Sequence, residues 1–133
     1  MGLTEWIRKY YPSKASECTK TEALQHSRQK WHGLKPENLK EFGCEILDGE
    51  VGLCVIDSNF IHNEKFRFGG STCSLCQIYR DCQGCPIRNA GARCDDFDSA
   101  YQMVLSRRVD VAIMIDLLDR LYREEQQMLI DKL

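Results

Sequence analysis

The residues with the most chemistry in this 133-residue chain are its cysteines. Eight are present, and five of them (Cys73, Cys76, Cys82, Cys85 and Cys94) fall within 22 positions. The first four make two C-x2-C pairs separated by five residues. A C-x2-C pair folds two thiolates toward one point, because the tight turn between them aims its amides at the sulfurs. Gly84, inside the second pair, takes such a turn without a Cβ penalty. Two pairs can close a tetrahedral four-sulfur shell, the arrangement of structural zinc, with Zn–S of about 2.3 Å. The short gap lets the second pair fold back on the first and is too short for the hairpin between the knuckles of an ordinary zinc ribbon. The expected object is a compact loop closed by a metal. Zinc is the expected ion, and Cys73, Cys76, Cys82 and Cys85 are the expected ligands. Five thiols offer more than one choice of four, so Cys94 stands either as a spare thiol or as a competing ligand.

With Cys73 set aside, the remainder reads Cys76-x5-Cys82-x2-Cys85-Pro86-Ile87-x6-Cys94. This segment resembles the iron–sulfur cluster loop of the helix-hairpin-helix DNA glycosylases, whose pattern is C-x6-C-x2-C-x5-C, often with Pro after the third cysteine. The first gap here is one residue shorter and the last three residues longer. The rest of the chain shows neither that family's glycine turn nor a catalytic aspartate context. The resemblance therefore implies a [4Fe–4S] cluster on Cys76, Cys82, Cys85 and Cys94 as the alternative cofactor, and no glycosylase activity. On a broader scale, the helix carrying ALQHSRQKWHGLKPENL, the Cys-Ser-Leu-Cys and C-x2-C-Pro-Ile runs, the later Gly-x2-Cys and a Tyr-containing helix resemble a loose group of small phage and prophage proteins. That resemblance implies a virus-encoded accessory protein acting in the host cytoplasm on a host protein, for instance a defence protein.

Charge does not choose the metal. Between Cys73 and Cys94 three arginines (Arg80, Arg88, Arg93) face one acid (Asp81), a local excess of two positive charges before the thiols ionise. Four thiolates with Zn²⁺ or with an oxidised four-iron cluster both carry a net double negative charge, so either centre is locally neutralised. A shell filled by four protein ligands leaves no position for water or substrate, which argues for a structural rather than a catalytic metal. Function then falls to a surface. Arg80, Arg88, Arg93, Arg107 and Arg108 are the candidate interaction residues, suited to an acidic protein partner and, as the second choice, to nucleic acid with Tyr79 available for stacking.

Other chemistry is thin. His26, His32 and His62 form no H-x3-H or H-E-x2-H set, and surface or satisfied helix histidines are expected. Cys18, Cys44 and Cys54 stand alone, and Cys54 lies in an apolar run that reads as core. Asp95, Asp96 and Asp98 read as helix caps and solvated charge rather than cation ligands. No nucleophile elbow or phosphate-binding glycine loop is present. A redox C-x2-C enzyme would set its pair in a βαβ context, which the sequence does not offer.

The elements that must position the cysteine loop are legible around it. Hydrophobic residues at 43%, charged residues at 29% and a formal net charge of −2 describe a globular chain and argue against a strongly basic DNA binder. The start, Met-Gly-Leu-Thr-Glu-Trp, lacks the apolar core of a secretory signal, and no apolar run approaches membrane-spanning length, so a cytoplasmic location and no membrane partner are expected. Residues 1–43 read as helices: Glu5 to Tyr11, then a segment through His32 opened by a Thr19–Glu22 capping box, then one begun by Pro36 and closed by Gly43. Residues 44–72 read as short strands, with Asp48-Gly49 as the turn between the first two and Lys65–Phe68 as a third. Residues 73–94 are the metal loop, and 95–133 return to helix. Asp96 or Asp98 caps a short helix, and Asp110 caps a long one whose apolar stripe runs Val111, Ile115, Leu118, Tyr122, Leu129 and Leu133. The expected fold is a single domain of the α+β class, predominantly helical, with a small antiparallel sheet and a cysteine-ligated metal-binding loop. Part of the long helix is available for homodimer or partner contact.

Overall fold

Helix α1 (Leu3–Tyr10) spaces Leu3, Trp6 and Tyr10 by three and four residues, and all three are buried. The architecture comes from a computed structural model that describes residues 2–49, 52–58, 64–69, 72–79, 84–89, 104 and 110–132. The helix starts two residues before the expected Glu5 because a tertiary cap holds its first turn. The Leu3 amide donates to Asp57 Oδ1 at 2.6 Å, and the Gly2 amide donates to Glu5 Oε2 at 3.0 Å. A carboxylate at a helix N-terminus satisfies an otherwise orphaned amide and meets the positive end of the dipole. Trp6 is fully buried, and its indole N–H donates to the Gly33 carbonyl at 2.9 Å.

After a 3-10 turn (Ala15–Glu17), helix α2 (Ala23–His32) follows the Thr19–Glu22 segment. Half of the expected capping box forms. Glu22 Oε1 accepts from the Thr19 amide at 3.0 Å, but the Thr19 hydroxyl turns to the same carboxylate oxygen at 2.7 Å instead of accepting from the helix. Ala23, Leu24, Ser27 and Trp31, spaced to share one face of the helix, are all buried. Helix α3 (Pro36–Glu41) begins at its proline, whose missing N–H costs nothing at that position. It leads to Gly43 at φ 64°, the left-handed conformation that ends a helix without a Cβ clash.

Three antiparallel strands follow in the order β1-β2-β3: β1 (Cys44–Gly49), β2 (Gly52–Asp57) and β3 (Lys65–Arg67). Cys44 pairs with Asp57 and Gly49 with Gly52. That register corrects the expected turn: Asp48-Gly49 closes the strand and pairs with Gly52-Leu53 instead of forming the turn. The central strand is covered on both faces, so Leu53, Cys54, Val55 and Ile56 are buried in succession. Phe66 and Phe68 carry the sheet onto the helices, their rings 5.3 and 6.2 Å from that of Trp6.

Two short helices, α4 (Ser74–Ile78) and α5 (Pro86–Asn89), lie within the cysteine segment. The long helix α6 (Ala112–Asp131) then packs along α2. Asp110 Oδ1 accepts from the Ala112 amide at 2.9 Å, as a capping residue does. Val111, Ile115 and Leu118 are buried as expected, joined by Met114 and Leu121. The stripe stops sooner than the sequence implied. Tyr122 is partly buried, while Met128, Leu129 and Ile130 are 54–60% exposed. The chain is thus mostly helical with a small antiparallel sheet, and among the described residues no helix is long and apolar enough to cross a membrane. The short helix expected from Asp96 or Asp98 lies outside the described residues, apart from Val104, which is helical and buried.

Candidate metal centre

The cysteine loop is anchored by one face of α2. Ala23, Ser27 and Lys30, spaced four and three residues apart, all turn toward residues 72–74. The Ser74 hydroxyl, fully buried, donates to the Ala23 carbonyl at 2.6 Å. Ser27 Oγ lies 3.0 Å from Ser74 Oγ and 3.8 Å from Cys73 Sγ. Ser74 spends its only proton on Ala23, so the single Ser27 proton serves either Ser74 Oγ or Cys73 Sγ. Lys30, 1% exposed, donates from Nζ to the Thr72 carbonyl at 2.9 Å and lies 4.7 Å from the Phe68 ring centroid. A second bracket fixes the approach to Cys73, as the Thr72 hydroxyl donates to the Arg67 carbonyl at 2.8 Å.

Cys73 sits at the N-cap of α4 and Cys76 within its first turn. A hydrogen bond from Cys76 holds the Cys73 thiol well below its ordinary pKa; burial opposes this, and the Lys30 charge, the Cys76 amide and Ser27 reinforce it. This is the folded pair of thiols expected of a C-x2-C turn. On the other side of the loop, Gly84 adopts φ 78°, which an L side chain rarely accepts, and Cys85-Pro86 then opens α5. Cys85 is buried, and its charge adds to burial in raising the Tyr79 phenol.

Of the expected ligands, then, the structure brings Cys73 and Cys76 together, and none of the described cysteines is in a disulfide. Among the described residues no three His, Cys, Asp or Glu side chains converge as a metal-holding group. Cys82 and Cys94 lie outside the described residues. Of the candidate surface arginines, Arg88 is exposed on α5, and Arg80, Arg93, Arg107 and Arg108 lie outside the described residues, as do Asp95, Asp96, Asp98 and His62.

The isolated cysteines and histidines are resolved more fully. Cys54 is 1% exposed in β2, and Cys44 is buried with its thiol pushed up to about 11 by burial and then by Asp57, an environment that suppresses nucleophilicity. His32 Nε2 and Arg28 Nε both lie 2.7 Å from Asp119 Oδ1, a polar clip between α2 and α6. His26 departs from a satisfied surface histidine. It is 7% exposed, and its Nε2 donates to the Ser13 carbonyl at 2.7 Å, while Nδ1 is buried with no hydrogen-bond partner among the described residues. The sequence pattern places Ser27 on the inner face of α2 but does not single out Lys30 or Ser74. Their roles depend on contacts between α2 and residues 72–74, which sequence spacing does not reveal. No protein-family model, curated protein or solved structure matches the chain.

Proposed function

We propose that the chain is a small protein-interaction module whose cysteine loop is stapled by a structural metal, zinc in a four-thiolate shell of Cys73, Cys76, Cys82 and Cys85. The observation that carries this reading is the Cys73–Cys76 turn: two thiols in contact, clamped to α2 through Ser27 and Ser74. Gly84 in the left-handed conformation ahead of Cys85 supports the second half of the shell. The reading requires Cys82 and Cys85 to close on the Cys73–Cys76 pair when metal binds. A shell so filled is a staple, and the work passes to the surface, where Arg88 beside the loop and the apolar residues at the end of α6 are exposed. With a net charge of −2, a protein partner fits that surface better than a polyphosphate backbone does.

Serine substitution tests the ligand set. Cys73→Ser and Cys76→Ser should each abolish metal retention while Cys94→Ser keeps it. If Cys94→Ser loses the metal and Cys73→Ser keeps it, the shell is Cys76, Cys82, Cys85 and Cys94, and brown protein absorbing near 400 nm would mark an iron–sulfur cluster. A labelled DNA or RNA shift that weakens with salt and with Arg88→Ala would replace the protein partner by nucleic acid.

A further inference from the structure

Strand β1 lies at an edge of the sheet, and its register fixes what the outer side offers. The Gly43 carbonyl accepts from the Ser58 amide at 2.9 Å, and the ladder alternates from there. Glu45 and Leu47 therefore aim their backbone groups at β2, while Cys44 and Ile46 aim theirs outward. Among the described residues no strand pairs with that outer side. A groove of about 520 Å³ runs beside it, floored by Leu34, Leu39, Ile46 and Val111. Cys44, Glu45 and Ile46 all border this groove, although successive side chains of a strand point to opposite faces. Three consecutive residues meet one cavity along a strand's edge, so the groove and the outward backbone groups adjoin.

We propose that this edge docks an extended segment of a partner protein that alternates apolar and basic residues, added as a fourth strand. The other side of β2 shows the pattern within the chain itself. There β3 reads Lys65-Phe66-Arg67, with Phe66 buried and both bases exposed. Phe66, Val55 and Ile46 form one row across the sheet, and Lys65, Ile56 and Glu45 form the next. A strand beyond β1 extends both rows. Its residue beside Ile46 points to the groove, where burial favours an apolar side chain. Its residue beside Glu45, which is exposed, points to the other face, where a base meets the carboxylate. Lys40 and Asp110 border the groove with opposite charges, so Glu45 sets the sign. A second copy of β1 fits poorly, since Cys44–Gly49 contains two acids and no base. No residue of this surface belongs to the cysteine loop, so its test stands independent of the metal.

The probe is a capped peptide of alternating valine and arginine, added to the full chain, with a valine–glutamate peptide as its counterpart. By nuclear magnetic resonance, the arginine peptide should slow water exchange at the Cys44 and Ile46 amides. It should also bind more tightly than its counterpart. Glu45→Lys, at an exposed side chain, should weaken the arginine peptide by about fivefold and strengthen the glutamate one. Ile46→Pro removes one outward amide and leaves the β2 ladder its bonds, so it should abolish binding of both. Should that variant fail to fold, Glu45→Lys alone decides. No protection, equal affinity for the two peptides, or indifference to Glu45→Lys overturns the proposal. Protection that rises with protein concentration in the absence of peptide assigns the edge to a second copy and overturns it too.

Discussion

At the scale of single residues, Asp119 shows how a polar contact between two helices sets a pH dependence. Burial disfavours its carboxylate, yet hydrogen bonds and charge from His32 and Arg28 outweigh that and hold its pKa below the ordinary 3.8. The unfolded chain therefore takes up this proton more readily than the folded one. The stabilisation is complete above the ordinary value and disappears as pH falls through the lower folded value. Asp119→Ala should cost about 1–2 kcal/mol in urea unfolding at pH 7, as for a charge-assisted contact that is partly solvated, and the difference between variant and native should shrink in strong acid. The C-x2-C spacing that sets the cysteines apart is a local property and so is legible in the sequence. The sequence could not mark Lys30 or Asp119, whose roles depend on residues 42 and 87–91 positions away.

Elements were legible where their signals were local. Pro36 and Gly43 bound α3, the 23–27–31 spacing identifies the buried face of α2, and Asp110 starts α6. The misreadings arose where tertiary contacts or pairing decide. Asp57 draws α1 back to Leu3, and the β1–β2 register moves the reversal beyond Asp48-Gly49, a pair whose turn propensity loses to two more rungs of the ladder. Gly33 caps the C-terminus of α2, and its role there is clearance. A Cβ there would stand 2.6 Å from Trp6 Cζ2 and 2.8 Å from Tyr10 Cγ. Its φ of −62° suits any residue, so Gly33→Ala isolates the steric effect. It should destabilise by about 1–3 kcal/mol in chemical denaturation, opposite in sign to the usual gain from replacing glycine in a helix. The end of α6 should behave in the opposite way. Since Gln127 to Lys132 are all exposed, deleting residues 127–133 should leave the melting temperature within a few degrees of native, roughly the ±0.5 kcal/mol of an ordinary surface change. If that end carries the interaction surface, partner binding is lost while stability is kept.

For the molecule as a whole, two parts are held together by different means. The helices and sheet share a core built on Trp6, Trp31, Phe66, Phe68 and Leu118, which Leu75, Cys85 and Ile87 of the cysteine segment join. The loop from Cys73 onward is tied to that core by Ser27, Lys30, Ser74 and Ile87, and its own interior would be closed by thiolates. Stripping the metal should therefore leave the far-ultraviolet helix signal largely intact while amide exchange in residues 73–94 accelerates. Loss of the whole fold on chelation would mean instead that the core cannot stand alone. The most direct measurement is a count of metal and reactive thiols on the natively purified chain. One equivalent of zinc with four of the eight cysteines protected from a thiol reagent until the metal is chelated is the expected result. Metal-free protein in which chelation changes no thiol's reactivity would contradict the staple.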